Sequence, residues 1–219
     1  MAQEIDVALL IADLSGYTAF TKAHGALEAA KTVSRYVEIA QAALQPGARL
    51  VERVGDKILI LAEDIEGAVR TATALQSAVE QEPLFPTVRV GLHAGRILEQ
   101  EQRYFGSALN LTARVAAYAR GTQVLCTERV AFVTPELDDV VCRQVGLVHF
   151  KNIVAPVNVF EILTGQADSE SPGIDPVCRM QVRPETAPAR LPFGARSYYF
   201  CSFDCAKMFA ECPDTYTEP

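Results

Sequence analysis

The sequence predicts an α+β fold: one sheet-and-helix domain of ordinary size, followed by a small cysteine-rich unit. Three observations carry this. A continuous apolar run occupies residues 5–12, the mark of a buried central strand. Strand and helix periodicities then alternate to about residue 163. Four of the six cysteines, Cys178, Cys201, Cys205 and Cys212, crowd into the last fifth of the 219 residues.

The first strand ends at Asp13, and Gly16 permits a tight loop into a long helix. Val33, Tyr36, Val37, Ala40 and Leu44 recur there at helical spacing, and Pro46-Gly47 stops the helix. Two strand-like runs follow, Arg49 to Val54 and Lys57 to Ala62, with Gly55-Asp56 between them as a hairpin signal. Asp64 is placed to cap a second helix, whose apolar face is Ile65, Ala68, Val69, Ala72, Leu75 and Val79. Residues 87–98 alternate as a strand. A polar loop at 99–103 leads to a third helix at about 107–119, and strands near 123–126, 140–149 and 157–163 complete the unit. The order β-α-β-β-α-β with additions is a ferredoxin-like layout, with helices expected on one face of a mainly antiparallel sheet. Small, polar residues at 164–173 read as a linker between a domain at 1–163 and a second at 174–219.

Bulk properties narrow the function. A net charge of −7 without a basic run argues against a nucleic-acid partner. No segment is long and apolar enough for a membrane span or a targeting signal, so a cytoplasmic location is the expectation. In a reducing compartment the cysteine cluster reads as a metal site rather than a disulfide framework.

Within the larger unit, Asp13 ends a buried strand and Asp56 sits in a hairpin turn. Two carboxylates are a typical protein contribution to a Mg²⁺ or Mn²⁺ site, with phosphates and water supplying the rest. Each also has a plainer reading, Asp13 as a helix cap and Asp56 as a turn residue. The turn Asp13-Leu14-Ser15-Gly16-Tyr17-Thr18 leads into a helix N-terminus, where free N–H groups suit a polyphosphate. Asn110 and Arg114 lie four apart on one helix face. An amide can orient a ribose and a guanidinium can stabilise a transferring phosphoryl group, unless the two simply form a solvated polar face.

Four blocks occur in order: residues 12–18, residues 54–56, Val88 to Gly95, and Tyr104 to Arg114. Together they resemble the class III adenylate/guanylate cyclase catalytic domain, over about residues 5–163. The resemblance implies a homodimer with active sites at its interface. One protomer would supply the metal positions Asp13, Leu14 and Asp56, and the other Asn110 for the ribose and Arg114 for the transition state. The implied reaction is attack of a ribose 3′-hydroxyl on the α-phosphate of ATP or GTP, with pyrophosphate leaving. Gly16, Tyr17 and Thr18 would hold phosphate, and Lys151 is placed loosely at a late phosphate-binding lysine.

Two positions depart from the adenine pattern. Glu52 stands four before Asp56, where guanylate cyclases carry glutamate, and glutamate accepts from guanine N1–H and N2–H₂. Arg103 replaces the usual partner three before Gly106. It can pair with Glu52 and fill the base pocket, or bind guanine O6. His93 reads as structural, and His24 and His149 carry no pattern.

In the tail, Cys178, Cys201 and Cys205 follow C-x22-C-x3-C, with the last pair on one side of a helical turn. Soft thiolates suit Zn²⁺ or Cu(I). Asp175-Pro176-Val177-Cys178, Tyr198 to Cys205, Phe209 and Pro213 to Tyr216 resemble a YHS domain, and also the TRASH family. That resemblance implies heavy-metal handling. No histidine lies in the tail, so the fourth ligand is left between Cys212, Asp175 and water. The leading expectation is a purine nucleotide cyclase tuned by metal. The rivals are a non-catalytic cyclase-homology module coupled to a metal sensor, and a metal carrier that uses the cyclase-like part for dimerisation.

Overall fold

The structure, a computed structural model, describes residues 2–134, 137, 139–164 and 173–217. The expected linker at 164–173 therefore lies outside the described residues except at its two ends.

The larger unit begins with β1 (Gln3–Leu14), α1 (Tyr17–Ala43), the hairpin β2 (Ala48–Val54) and β3 (Lys57–Ala62), and α2 (Ile65–Gln81). It continues through β4 (Val88–Gln100), β5 (Arg103–Phe105), α3 (Ser107–Tyr118), β6 (Val124–Thr127), α4 (Glu128–Ala131), β7 (Val140–Val148) and β8 (Val157–Thr164). The strand order is β2-β3-β1-β4-β6-β8-β7, with β5 paired to β4. Among the described residues only β4 and β6 pair in parallel; β1 is antiparallel to both its neighbours.

One expectation is corrected. The helices do not share a face. Leu10, Ala12 and Leu14 of β1 pack with Tyr36, Ala40, Leu75 and Val79 of α1 and α2. Leu9 and Ile11 pack on the reverse side with Ala108 and Ala116 of α3. The reason is in β1 itself: side chains alternate along a strand, so a run apolar at every position needs cover on both faces. Gly91 permits the close approach of α3, because a Cβ there would lie 2.2 Å from the Ala116 backbone nitrogen.

The polar stretch expected as a loop at 99–103 is instead a tight hairpin. β4 runs to Gln100, Glu101 and Gln102 both take positive φ (51° and 59°), and β5 returns at once. Two central residues with φ > 0 match the twist of a two-residue hairpin. Neither is the glycine or asparagine that would signal it. Elsewhere Asp64 caps α2 as expected, its Oδ1 accepting the Gly67 N–H at 2.7 Å.

The tail contains β9 (Gly173–Ile174), β10 (Gln181–Val182), β11 (Ala189–Phe193), β12 (Arg196–Phe200), α5 (Phe203–Glu211) and α6 (Pro213–Tyr216). Its core of Val177, Cys178, Met180, Phe200, Cys205, Ala206 and Phe209 is completed by Phe20 and Ala29 of α1. Backbone bonds join the two units as well. The Thr87 N–H donates to the Arg179 carbonyl, and the Gln181 N–H to that of Phe85. The buried Gln181 amide donates to the Val79 carbonyl at 2.8 Å.

Candidate functional site

The register of β1 on β3 pairs Asp13 with Lys57, which sets the β2–β3 turn carrying Asp56 beside the end of β1. Gly55 takes φ 63° in that turn. The two carboxylates share a cleft of about 460 Å³ with Leu14, Gly16, Tyr17, Thr18, Lys57 and Arg89. Asp13 is 7% exposed. Burial, and then the Asp13 charge, push the Asp56 carboxyl up to about 6. Tyr36 of α1 is fully buried, and its hydroxyl has no hydrogen-bond partner among the described residues. Burial first, then the charges of Asp13 and Asp56, raise its pKa.

Asp13 does not cap the helix that follows. Gly16 is the N-cap, in the left-handed region at φ 70°, and no side chain among the described residues caps α1. The first-turn N–H groups of a helix have no partners within it, so this end is open to an anion.

Arg89 is one of two residues that the sequence did not reveal. It lies opposite Asp13 in the β1–β4 register, and its guanidinium meets Asp13 Oδ2 at 2.7 Å. Arg89 Nε is buried and unpartnered among the described residues. Only the pairing of β1 with β4 shows that Arg89 faces Asp13, so no local feature of the sequence announced it.

The remaining predicted residues are placed elsewhere. Asn110 and Arg114 are exposed on α3, their side chains make no hydrogen bond or ion pair among the described residues, and they do not line the carboxylate cleft. Glu52 lines a separate hollow with Ile11, Leu59 and Leu109, on the side of the sheet covered by α3. A register shift between Leu50 and Glu52 in β2 helps to set its position. Asp13 pairs with Arg89 near the start of β4, whereas Arg103 pairs with Gln100 at its end. Eleven residue steps of strand separate these points by about 35 Å. No ion pair joins Glu52 to Arg103 among the described residues, so the pairing that the sequence allowed is not formed. Lys151 follows Phe150, whose ring packs edge-on against Tyr118 at the end of α3, and it does not line the carboxylate cleft. One chain therefore gathers the acidic half of the predicted site and leaves the amide and guanidinium half elsewhere.

His93 is structural, as expected. Its Nδ1 lies 2.8 Å from Thr127 Oγ1, and burial, with the Arg129 charge, pushes its pKa down to about 4.

The second site gathers the tail thiols. Cys178 and Cys205 are fully buried and Cys201 partly so. Cys201 Sγ lies 3.4 Å from Cys178 Sγ and 3.7 Å from Cys205 Sγ. Hydrogen bonds from Cys178 and Cys201 hold the Cys205 thiol far below its ordinary range. The fourth group is none of those considered from sequence. Cys212 ends α5 and is exposed. The Asp175 carboxylate is committed to the N–H groups of Val177, Cys178 and Cys201, so it shapes the loop. His24, assigned no pattern in the sequence, brings Nε2 to 3.4 Å from Cys201 Sγ and 3.9 Å from Cys205 Sγ. All four ligand atoms lie within 4.8 Å of one another, a set able to hold a metal ion.

Comparison with known proteins agrees with both halves. The YHS domain family model matches residues 174–219. A pH-sensitive adenylate cyclase of Mycobacterium tuberculosis (strain CDC 1551 / Oshkosh) is 26% identical over 175 residues, 78% of this chain and 44% of that protein. An adenylate cyclase of Streptomyces griseus is 31% identical over 115 residues, 52% of this chain and 29% of that one. The chain thus spans less than half the length of these relatives. Among solved structures, the adenylate/guanylate cyclase/hydrolase of Silicibacter pomeroyi superposes with a TM-score of 0.67 at 25% identity, over 74% of this chain and 98% of that one. No helix among the described residues is long and apolar enough to cross a membrane.

Proposed function

Since the chain joins a class III nucleotide cyclase-like domain to a C-terminal YHS domain, we propose that it works as a homodimeric purine nucleotide cyclase. It forms a 3′,5′-cyclic nucleotide and pyrophosphate from ATP or GTP. The observation that carries this reading is the convergence of Asp13 and Asp56 on one cleft beside the uncapped start of α1.

The residues present fit a divalent cation. Burial, and then the Asp13 charge, push Asp56 toward its protonated form, and a cation between the two carboxylates offsets both effects. Asp13, Asp56 and the Leu14 carbonyl would hold Mg²⁺ or Mn²⁺, which supplies activation of the ribose hydroxyl and neutralises the leaving pyrophosphate. The N–H groups of Gly16 to Thr18 receive phosphate oxygens at the helix N-terminus. Arg89 pairs with Asp13, and its fork is suited to exchange that carboxylate for a phosphate.

Asn110 and Arg114 come from the partner protomer, with Asn110 orienting the ribose and Arg114 stabilising charge at the α-phosphate. Their distance from Asp13 within one chain supports this division. Glu52 reads the base edge and favours guanine. Arg103 and Lys151 lie on the same contributing protomer, toward base and phosphate respectively.

The test is product analysis after incubation of purified protein with Mn²⁺ and either ATP or GTP. Cyclic nucleotide is expected from the wild type, and only background from Asp13→Ala. Equal yields from the two proteins would sink the enzyme reading. A second reading is favoured by the Arg89–Asp13 ion pair, which already gives the carboxylates a cation. In that case the domain is a non-catalytic module that binds nucleotide without cyclising it, and equilibrium binding with no product is the outcome that selects it.

A further inference from the structure

The YHS tail is packed on the cyclase-like domain at one particular place. Phe20 and Ala29 of α1 are 3% and 1% exposed, buried in the tail's own core. α1 is interrupted at Gly25, whose φ of 83° and ψ of 161° are not helical. His24 is therefore the last residue of a short leading segment, Tyr17 to His24. Its ring lies 4.6 Å from that of Phe20, centroid to centroid. The other end of the segment is the turn through Gly16, and there the tail touches it again. A Cβ on Gly16 would lie 2.6 Å from Arg179 Cγ.

The four ligand atoms have the spacing of a coordination shell. With Zn–S of about 2.3 Å and Zn–N of about 2.05 Å, a regular tetrahedron has S···S edges of about 3.8 Å and S···N edges of about 3.6 Å. Four of the six edges are 3.4 and 3.7 Å between sulfurs, and 3.4 and 3.9 Å from His24 Nε2 to sulfur; the other two, from Cys178 Sγ to Cys205 Sγ and to His24, are within 4.8 Å. Three thiols of one unit and an imidazole of the other thus surround a common point.

We infer that His24 is the fourth ligand of a tetrahedral Zn²⁺ site with Cys178, Cys201 and Cys205, so that one ion pins the tail to the leading segment of α1 and orders the Asp13–Thr18 turn. Three cysteines within a small tail describe a self-contained metal module. The imidazole makes the site shared, because the ion cannot be fully coordinated unless the tail sits on α1. Release of the ion frees both ends of that contact: His24 loses its ligand role, and Arg179 is held at Gly16 only by the remaining packing. The value of this coupling for function rests on the nucleotide reading of that turn, but the coordination does not.

The experiment uses the full chain. Zn²⁺ affinity is measured by competition with a chromophoric chelator, and geometry by the electronic spectrum of the Co²⁺-substituted protein. One equivalent is expected in the wild type, with intense tetrahedral bands and thiolate charge transfer. His24→Ala should weaken Zn²⁺ binding by at least the about 10–100-fold that loss of an outer-shell partner costs. His24→Cys should restore tight binding with a four-thiolate spectrum, which separates a lost ligand from a misfolded chain. Cys212→Ser should change nothing. Unchanged affinity and spectrum in His24→Ala, or a loss in Cys212→Ser instead, overturns the assignment.

Hydrogen exchange then reads the coupling without nucleotide or turnover. Stripping Zn²⁺ from the wild type should speed exchange in residues 13–24, whereas His24→Ala should exchange fast with or without the ion. Identical exchange of loaded and stripped wild type overturns the pinning. If cyclase activity is absent while these results hold, the reaction assignment fails and the shared site stands.

Discussion

Asp56 carries an electrostatic cost in the fold. Its carboxyl is held at about 6 in the fold, against 3.8 ordinarily, by burial and by Asp13. Between those values the folded chain binds a proton that the unfolded chain has released, so stability falls as pH rises through this window and stays lower above it. Asp56→Asn removes the repulsion. In metal-free protein at pH 7.5 the substitution is expected to raise the melting temperature by about 2–4 °C, the equivalent of ~1 kcal/mol at this chain length. The gain should vanish near pH 4, and saturating Mn²⁺ should reverse the order by stabilising only the wild type. A scan showing no difference at pH 7.5 would mean that Arg89 already balances both carboxylates. Asp13, Asp56, Gly16 and the cysteines were all legible in the sequence because a strand end, a Gly-Asp turn and a C-x3-C spacing each mark chemistry locally. Arg89 and His24 were not, because each acts on a residue distant in the chain: Asp13 lies 76 positions from Arg89, and Cys201 lies 177 from His24.

At the level of elements, the contact between α3 and the sheet depends on a missing side chain. Gly91→Ala would drive a methyl group into the backbone of Ala116, and overpacking of this kind costs about 1–3 kcal/mol, occasionally more. Because α3 carries Asn110 and Arg114, the displacement should lower both the melting temperature and any turnover. Gly55→Ala is the contrast. Nothing lies within 4 Å of the new methyl, and only the left-handed φ of 63° is strained, at about 1 kcal/mol. Calorimetry of the two variants side by side decides whether crowding or backbone strain costs more; equal losses would count against the close-packing account. The sequence made these elements readable through periodicity, but not their sides. Nothing in the helical spacing of α3 says which face of β1 it covers. That follows only from the demand of a doubly buried strand, and the tight hairpin at Glu101-Gln102 lacked the residues that announce one.

Taken whole, the molecule is two units whose apolar interiors meet. A chain ending at residue 164 would leave Phe20 and Ala29 without the cover of Val177, Phe200 and Phe209. Burying a phenylalanine side chain contributes about 2–3 kcal/mol, so the truncated protein is expected to melt at least several degrees lower, to bind a hydrophobic dye and to associate. An unchanged melting temperature and no dye binding would show that the tail adds nothing to the larger unit. This shared interior was invisible in the sequence, where the polar stretch at 164–173 reads as a boundary between independent parts.

That borrowing also bears on how the chain is made. A ribosome releases Phe20 about 180 residues before the aromatic cluster of Tyr198, Phe200 and Phe209 that will enclose it. The first helix must therefore spend most of synthesis with an uncovered apolar stripe. Closing so long a loop adds little free energy but delays the event. Assembly of the N-terminal segment is then the last step of maturation rather than the first, and a nascent chain stalled before the tail is the form that most needs a chaperone.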